Sequence, residues 1–223
     1  TEATGECGAV VDQPLGVRGG PDRVLLIGLG KKSACTTDVL RHLGGVLGRK
    51  LAAAKITSAL IDFSGALGEG KSKAREAGQA IGEGLGLVAW VCDEFKGKGT
   101  PAPKRVKVSV GSSDARFQEG LERGAALATA TNLTRTLSQT PPNIATPDYM
   151  AQQAAKVAKA CGLSIRVMRE GDLVREKMIG HINVGKASEN KPCVIRLEYK
   201  PKGGAKGKDK PAVLIGKTVC YDT

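Results

Sequence analysis

Pro211-Ala-Val-Leu-Ile-Gly-Lys-Thr-Val-Cys-Tyr-Asp-Thr223 is the stretch whose reading decides the fold. Ala212, Val213, Leu214 and Ile215 form a short apolar run, which predicts a central β-strand covered on both faces. Gly216 interrupts the run, Lys217 follows it, and Asp222 lies near the end of the stretch. Open α/β sheets place their chemistry where strands deliver charged side chains at their C-terminal edge. Lys217 and Asp222 differ in strand parity, so on a straight strand they would face opposite ways. The backbone must leave strand geometry after Gly216 for both to reach one site.

Working outward, the chain alternates strand and helix signals. Gly8–Val11 is a short strand candidate and Val24–Ile27 a stronger one. Apolar residues at Val39, Leu40, Leu43, Val46, Leu47 and Leu51 predict a helix over Thr36–Ala54, capped by Thr36 or Thr37. Ile56–Phe63 reads as a strand and Ser72–Cys92 as a helix. Gly78, Gly82, Gly84 and Gly86 weaken that helix, so they mark close packing against a neighbour. Val106–Val110 alternates as an edge strand. Asp114–Ser138 is the longest helix, and Pro141-Pro142 must break it. Thr146-Pro147 is a strong helix start, with Gly162 as its stop. Leu163–Met168 reads as a strand, Gly171–Lys177 as a short helix, Gly180–Val184 as a short strand and Pro192–Tyr199 as a strand. The fold class is α/β, organised as a first domain over 1–113, a linker helix over 114–138 and a second domain beginning at 139.

The 223 residues are ample for a core, which must be aliphatic because only 3% are aromatic. No apolar run reaches the ~20 residues of a membrane span, and no signal-peptide pattern is present, so the chain reads as cytoplasmic with no membrane partner. Cys7, Cys35, Cys92, Cys161, Cys193 and Cys220 form no C-x-x-C pair and read as buried thiols in a reducing compartment. The net charge is +12, which raises a nucleic-acid reading, but much of the surplus falls in two basic loops, Lys96–Arg105 and Lys200–Lys210. Gly28-Leu-Gly-Lys-Lys-Ser33 is no phosphate loop. Aligned on Lys32-Ser33, the two required glycine positions hold Leu26 and Lys31, which leaves a tight strand-to-helix turn. His181, without companions, reads as structural.

Three stretches resemble one family. Asn132-Leu-Thr-Arg-Thr-Leu-Ser-Gln-Thr-Pro-Pro-Asn-Ile-Ala-Thr-Pro-Asp-Tyr149 is similar to the linker helix and catalytic-domain entry of the leucyl aminopeptidase (cytosol aminopeptidase) family. Ile182–Ser188 with Pro192–Tyr199, and Leu214–Thr223, resemble two further segments of its catalytic domain. Val24–Lys32 and Asp93–Lys96 resemble its N-terminal domain less specifically. The resemblance implies a macro-domain-like N-terminal α/β domain followed by the start of an α/β metallopeptidase catalytic domain. It implies a hexameric enzyme that removes N-terminal, leucine-like residues from peptides with two divalent metal ions, zinc or manganese. Lys217 corresponds to a lysine that ligates one metal and Asp222 to an aspartate that bridges both. A lysine ligates only as the neutral amine, and a carboxylate has two oxygens to share between cations. Thr218 replaces a common glycine and Cys220 is unusual; neither removes a ligand.

The family's other metal carboxylates, its second lysine and its arginine are expected after Thr223. No catalytic residue is therefore expected within this chain, which alone should be inactive and hold no metal stably. Two other readings stay open: a non-catalytic binding module for nucleic acid, marked by a steep salt dependence of affinity, and a scaffold or assembly role, visible in size-exclusion chromatography.

Overall fold

In the computed structural model, residues 3–16, 19–63, 71–95, 109–201, 203 and 210–220 are described. They fall into two compact units, Thr1–Thr136 and Leu137–Thr223. The basic loop Lys96–Arg105, most of Lys200–Lys210, and Asp222 lie outside the described residues.

In the first unit, β1 (Val10–Pro14) and β2 (Arg23–Ile27) pair antiparallel, Val10 opposite Ile27. Bonds between Gly28 N and Ala9 O, and between Gly8 N and Gly28 O, prolong the pair. The Gly28–Ser33 turn is tight, as the failed phosphate-loop pattern implies. A Cβ on Gly28 would stand 2.0 Å from Glu6 O, and Gly30 sits at φ +72°, a conformation that favours glycine. A single 3-10 turn, Lys32–Ala34, then leads to α1 (Thr37–Ala53). Thr36 Oγ1 accepts from Val39 N and caps this helix.

β3 (Ser58–Leu60), α2 (Lys71–Val88) and β4 (Ser109–Gly111) form a strand–helix–strand unit with β3 and β4 parallel. Of the expected strand at Val106–Val110, residues 106–108 lie outside the described set. α3 spans Ala115–Gln139, its start capped by Asp114 Oδ1 accepting from Arg116 N and Phe117 N. The core gathers Leu40, Leu43, Ile61, Phe63, Ala77, Ala80, Ile81, Phe117 and Leu121. The Phe63 and Phe117 rings stack with centroids 5.1 Å apart.

The α2 glycines occupy backbone-to-backbone contacts. A Cβ on Gly84 would lie 2.0 Å from Arg41 O on α1, and one on Gly78 would lie 2.2 Å from Phe117 O on α3. Gly44 of α1 and Gly120 and Gly124 of α3 meet α2 in the same way. No side chain larger than hydrogen fits these points, which explains why helix propensity is sacrificed there.

The second unit contains α4 (Pro147–Cys161), β5 (Ser164–Met168), α5 (Glu170–Arg175), α6 (Ile179–Gly185) and β6 (Val194–Glu198). α4 has its Thr146 cap, Pro147 in the first turn, and Gly162 in the left-handed region as its stop. β5 and β6 pair antiparallel, with Ile165 opposite Leu197 and Val167 opposite Ile195. Ala151, Ala158, Met168 and Leu173 are buried in this unit.

Three sequence expectations are corrected. Gly180–Val184 is helical, not extended: Met178 O accepts from His181 N and Ile182 N, so the backbone groups are satisfied locally. Ile179 and Ile182 are one helical turn apart, a spacing that competes with the Ile182/Val184 alternation. Ala212–Ile215 is not a buried strand. It has no regular structure and no ladder partner among the described residues, and Val213, Leu214 and Ile215 are 73%, 99% and 94% exposed. An apolar run becomes a central strand only when sheet neighbours cover it. Finally, none of the six cysteines is buried. Cys7, in the turn before β1, and Cys161, at the end of α4, are exposed, and the other four are half-buried.

Candidate functional site

Segment 210–220 carries Lys217 on an unstructured backbone, and every residue from 210 to 219 is exposed. Lys217 has no hydrogen-bond or ion-pair partner among the described residues. Asp222, its expected companion, lies outside them. Cys220 is the only residue of the segment that is partly covered, and burial pushes its thiol above the usual value. Among the described residues no group of three or more His, Cys, Asp or Glu side chains could hold a metal ion. The described residues do not fit a pair of cations by themselves. His181 is exposed on α6.

Near the start of α4 lies a polar cluster that the motifs did not single out. Arg169 Nη2 donates to Asp148 Oδ1 at 2.6 Å, and Cys193 Sγ donates to Pro147 O at 3.5 Å. Burial pushes the Cys193 thiol up, and nearby Arg169 opposes that rise without overcoming it. Asp148 in the first turn after the Thr146-Pro147 start was the available signal, since acidic residues favour that position; its arginine partner is non-local. Chemically this cluster ties β5, α4 and β6 together and keeps Cys193 protonated.

In the first unit a groove of about 340 Å³ runs between α1 and α2, lined by Asp38, Arg41, His42, Arg49, Leu87 and Val88, with Gly45 and Gly84 also at its wall. Its charges are largely committed. Arg41 Nε donates to Glu83 Oε2 at 2.5 Å and the guanidinium also pairs with Asp38. Burial would raise the Glu83 carboxyl, but Arg41 and the Gln79 amide hold it below the usual carboxylate range. At the end of α2, Asn132 donates to Gly86 O and Arg135 to Leu87 O, both at 2.9 Å, while the Arg135 guanidinium lies 3.9 Å from the Trp90 ring centroid. These side chains cap carbonyls that a helix end leaves open.

Two domain models of one family match this chain: "Cytosol aminopeptidase family, N-terminal domain" over residues 1–99 and "Cytosol aminopeptidase family, catalytic domain" over 132–223. The chain belongs to the cytosol aminopeptidase family. The probable cytosol aminopeptidase of Geobacter sulfurreducens is 32% identical over 206 residues, covering 91% of this chain and 40% of its own length. That of Exiguobacterium sibiricum is 33% identical over 202 residues, covering 91% and 39%. Among solved structures, the bottromycin maturation enzyme BotP in complex with Mn is 27% identical with a TM-score of 0.72, covering 90% of this chain and 41% of its own. A mutant of tomato leucine aminopeptidase shares the fold with a TM-score of 0.74 at 21% identity, covering 91% and 40%. This chain therefore spans about 40% of the length of the curated relatives it matches. The family and the mixed α/β fold, an N-terminal domain followed by the start of the catalytic domain, are those implied by the three motif stretches.

Proposed function

We propose that this chain supplies the N-terminal domain and the opening part of the catalytic domain of a cytoplasmic metalloaminopeptidase. The assembled enzyme removes leucine-like residues from the N-termini of peptides. Its catalytic part begins after the α3 linker, and its working form is a homo-hexamer. The observation that carries this reading is the catalytic-domain match over residues 132–223, the region that contains Lys217 and Asp222. The Mn named with BotP supports a divalent cation, manganese or zinc, in the assembled site. Paired divalent cations polarise a carbonyl and lower the pKa of water. We assign Lys217 to one cation and Asp222 to the bridge between two.

On this reading the 223-residue chain alone is inactive, because it offers two donors where even a single zinc takes about four ligands. The test compares this chain with a protein extended by the rest of a cytosol aminopeptidase catalytic domain, assayed for leucine-anilide hydrolysis and metal content. Activity and about two metals per subunit are expected only in the extended protein. In that protein Lys217→Ala and Asp222→Ala should each abolish hydrolysis. Robust hydrolysis by the 223-residue chain, or full activity in the Asp222→Ala variant, would overturn the assignment.

A further inference from the structure

Two of the six thiols belong to one small region of the first unit. Cys7 lies in the turn that leads into β1 and is exposed. That turn is pinned to the segment after β2: Gly8 N donates to Gly28 O and Gly30 N to Gly5 O, both at 3.0 Å. Cys7 packs on Gly30, where a Cβ would stand 3.1 Å from the Cys7 Cβ. From Gly30 the chain makes only the 3-10 turn Lys32–Ala34 before it reaches Cys35, the residue preceding the Thr36 cap of α1. Cys35 is half-buried against the core cluster that contains Leu43. Leu43 Cδ2 is also the atom that a Cβ on Gly8 would meet, at 4.0 Å. Cys7 and Cys35 therefore flank the same few residues, one open to solvent and one packed on the core.

The two thiols differ in the way that a stepwise exchange needs. An open thiol meets a small disulfide first, and a second thiol close by resolves the adduct. Burial pushes the Cys35 thiol above its usual value, and the charge of an ionised Cys7 adds to that rise. Cys35 is thus the poorer first attacker. Once the Cys7 sulfur is capped in a disulfide it carries no charge, and only burial still opposes ionisation of Cys35. The other exposed thiol, Cys161 at the end of α4, belongs to the second unit, and Cys193 is already engaged with Pro147 O.

We propose that Cys7 and Cys35 form a thiol–disulfide exchange site, Cys7 the attacking and Cys35 the resolving thiol, whose substrate is a low-molecular-weight disulfide of the glutathione type. The Cys7 thiolate attacks one sulfur of that disulfide, its S–S bond breaks, and the first small thiolate leaves. The Cys35 thiolate then attacks the Cys7 sulfur and expels the second. Two electrons pass from the protein thiols to the small disulfide, and the two thiol protons pass through solvent to the departing thiolates. The bond formed ties the start of β1 to the entry of α1 and closes a ring around β1 and β2. The site uses no residue of 132–223, so it stands apart from the peptidase reading.

The test incubates the reduced chain with oxidised glutathione at about pH 8 and maps the products by peptide mass spectrometry. A Cys7–Cys35 disulfide is expected, reversed by dithiothreitol, with modification of Cys161 showing that the reagent reaches an open thiol. Cys35→Ser should trap the glutathione adduct on Cys7 and raise its yield about ten-fold or more. Cys7→Ser should leave Cys35 unmodified. In the oxidised chain, amide exchange at Gly8 and Gly30 should slow about ten-fold or more, with α4 and β5 unchanged. The proposal is overturned if a glutathione adduct persists on Cys7 in the unmutated chain, if Cys7 stays reduced while Cys161 reacts, or if either thiol pairs with another cysteine instead. Cys7 is exposed, so Cys7→Ser should keep the fold, and the mapping of the unmutated chain decides the question without either variant.

Discussion

The three helices of the first unit and the C-terminal third of the second unit use apolar sequence in opposite ways. α1, α2 and α3 approach until backbone meets backbone, with glycines at Gly44, Gly78, Gly84, Gly120 and Gly124 where a Cβ would collide. Each glycine costs about 1 kcal/mol of helix propensity relative to alanine, a loss offset by the packing it permits. Val213, Leu214 and Ile215 are more apolar than those glycines, yet they lie in solvent. Hydrophobicity alone therefore does not say what is buried here; shape and available partners do.

The comparison is broken most directly at Gly84. A Cβ there would lie 2.0 Å from a backbone oxygen, which cannot move as a flexible side-chain tip could. Gly84→Ala should force α1 and α2 apart and cost about 3 kcal/mol, at the upper end of overpacking effects. The control is Gly216→Ala in the second unit, where a Cβ meets nothing within 4 Å. It should change stability by less than about 0.5 kcal/mol. Urea unfolding checks the Gly84 variant through Trp90, the chain's single tryptophan and a residue of the first unit. Amide exchange in the second unit checks the Gly216 control. A Gly84→Ala cost below about 1 kcal/mol would show that the helix contact yields.

The Arg41–Glu83 pair gives the next effect, and its sign follows from the carboxyl. Glu83 titrates below its unfolded value of about 4.3, so it contributes stability that is fully present above that pH. The contribution is lost as pH falls through the lower, folded value. Glu83→Gln should cost about 1 kcal/mol near pH 7. The gap between wild type and variant in urea titrations should close below about pH 4. A gap that stayed constant into acid would mean that the Arg41 contact is not the source.

An effect of similar size belongs to Arg135, which caps Leu87 O and covers the Trp90 ring. Arg135→Ala should cost about 1 kcal/mol and shift Trp90 emission, because the ring loses both its cation and its cover. An unchanged spectrum would place the guanidinium elsewhere in solution.

Local chemistry was readable from the sequence, whereas distant partnership was not. Thr146-Pro147 and Gly162 bound α4 through capping and a left-handed stop, effects that act within one turn. The α2 glycines announced close packing because nothing else justifies them in a helix. Residues 180–184 misled because a five-residue window fits both the helical and the strand period. Ala212–Ile215 misled because a buried strand is a property of its neighbours, and those neighbours are not in the local sequence. The candidate site suffers likewise. By residue type alone Lys217 is a surface lysine and Asp222 a turn residue; only the resemblance of Leu214–Thr223 to a family segment singles them out. Arg169–Asp148 and Arg135–Trp90 join residues far apart in sequence, which no local pattern encodes.

The smallest effect sharpens the comparison most. Leucine buried in a core costs about 2–5 kcal/mol when truncated to alanine. Leu173, fully buried in the same unit as Leu214, should behave in that way. Leu214 is 99% exposed, so Leu214→Ala removes no folded-state contact and should change stability by less than about 0.5 kcal/mol. Paired urea titrations of the two variants, followed by amide exchange in α4 and β5, measure the difference between a leucine with partners and one without. If Leu214→Ala cost as much as Leu173→Ala, the segment would be packed in the isolated chain. Its apolar run would then belong to this unit's own core.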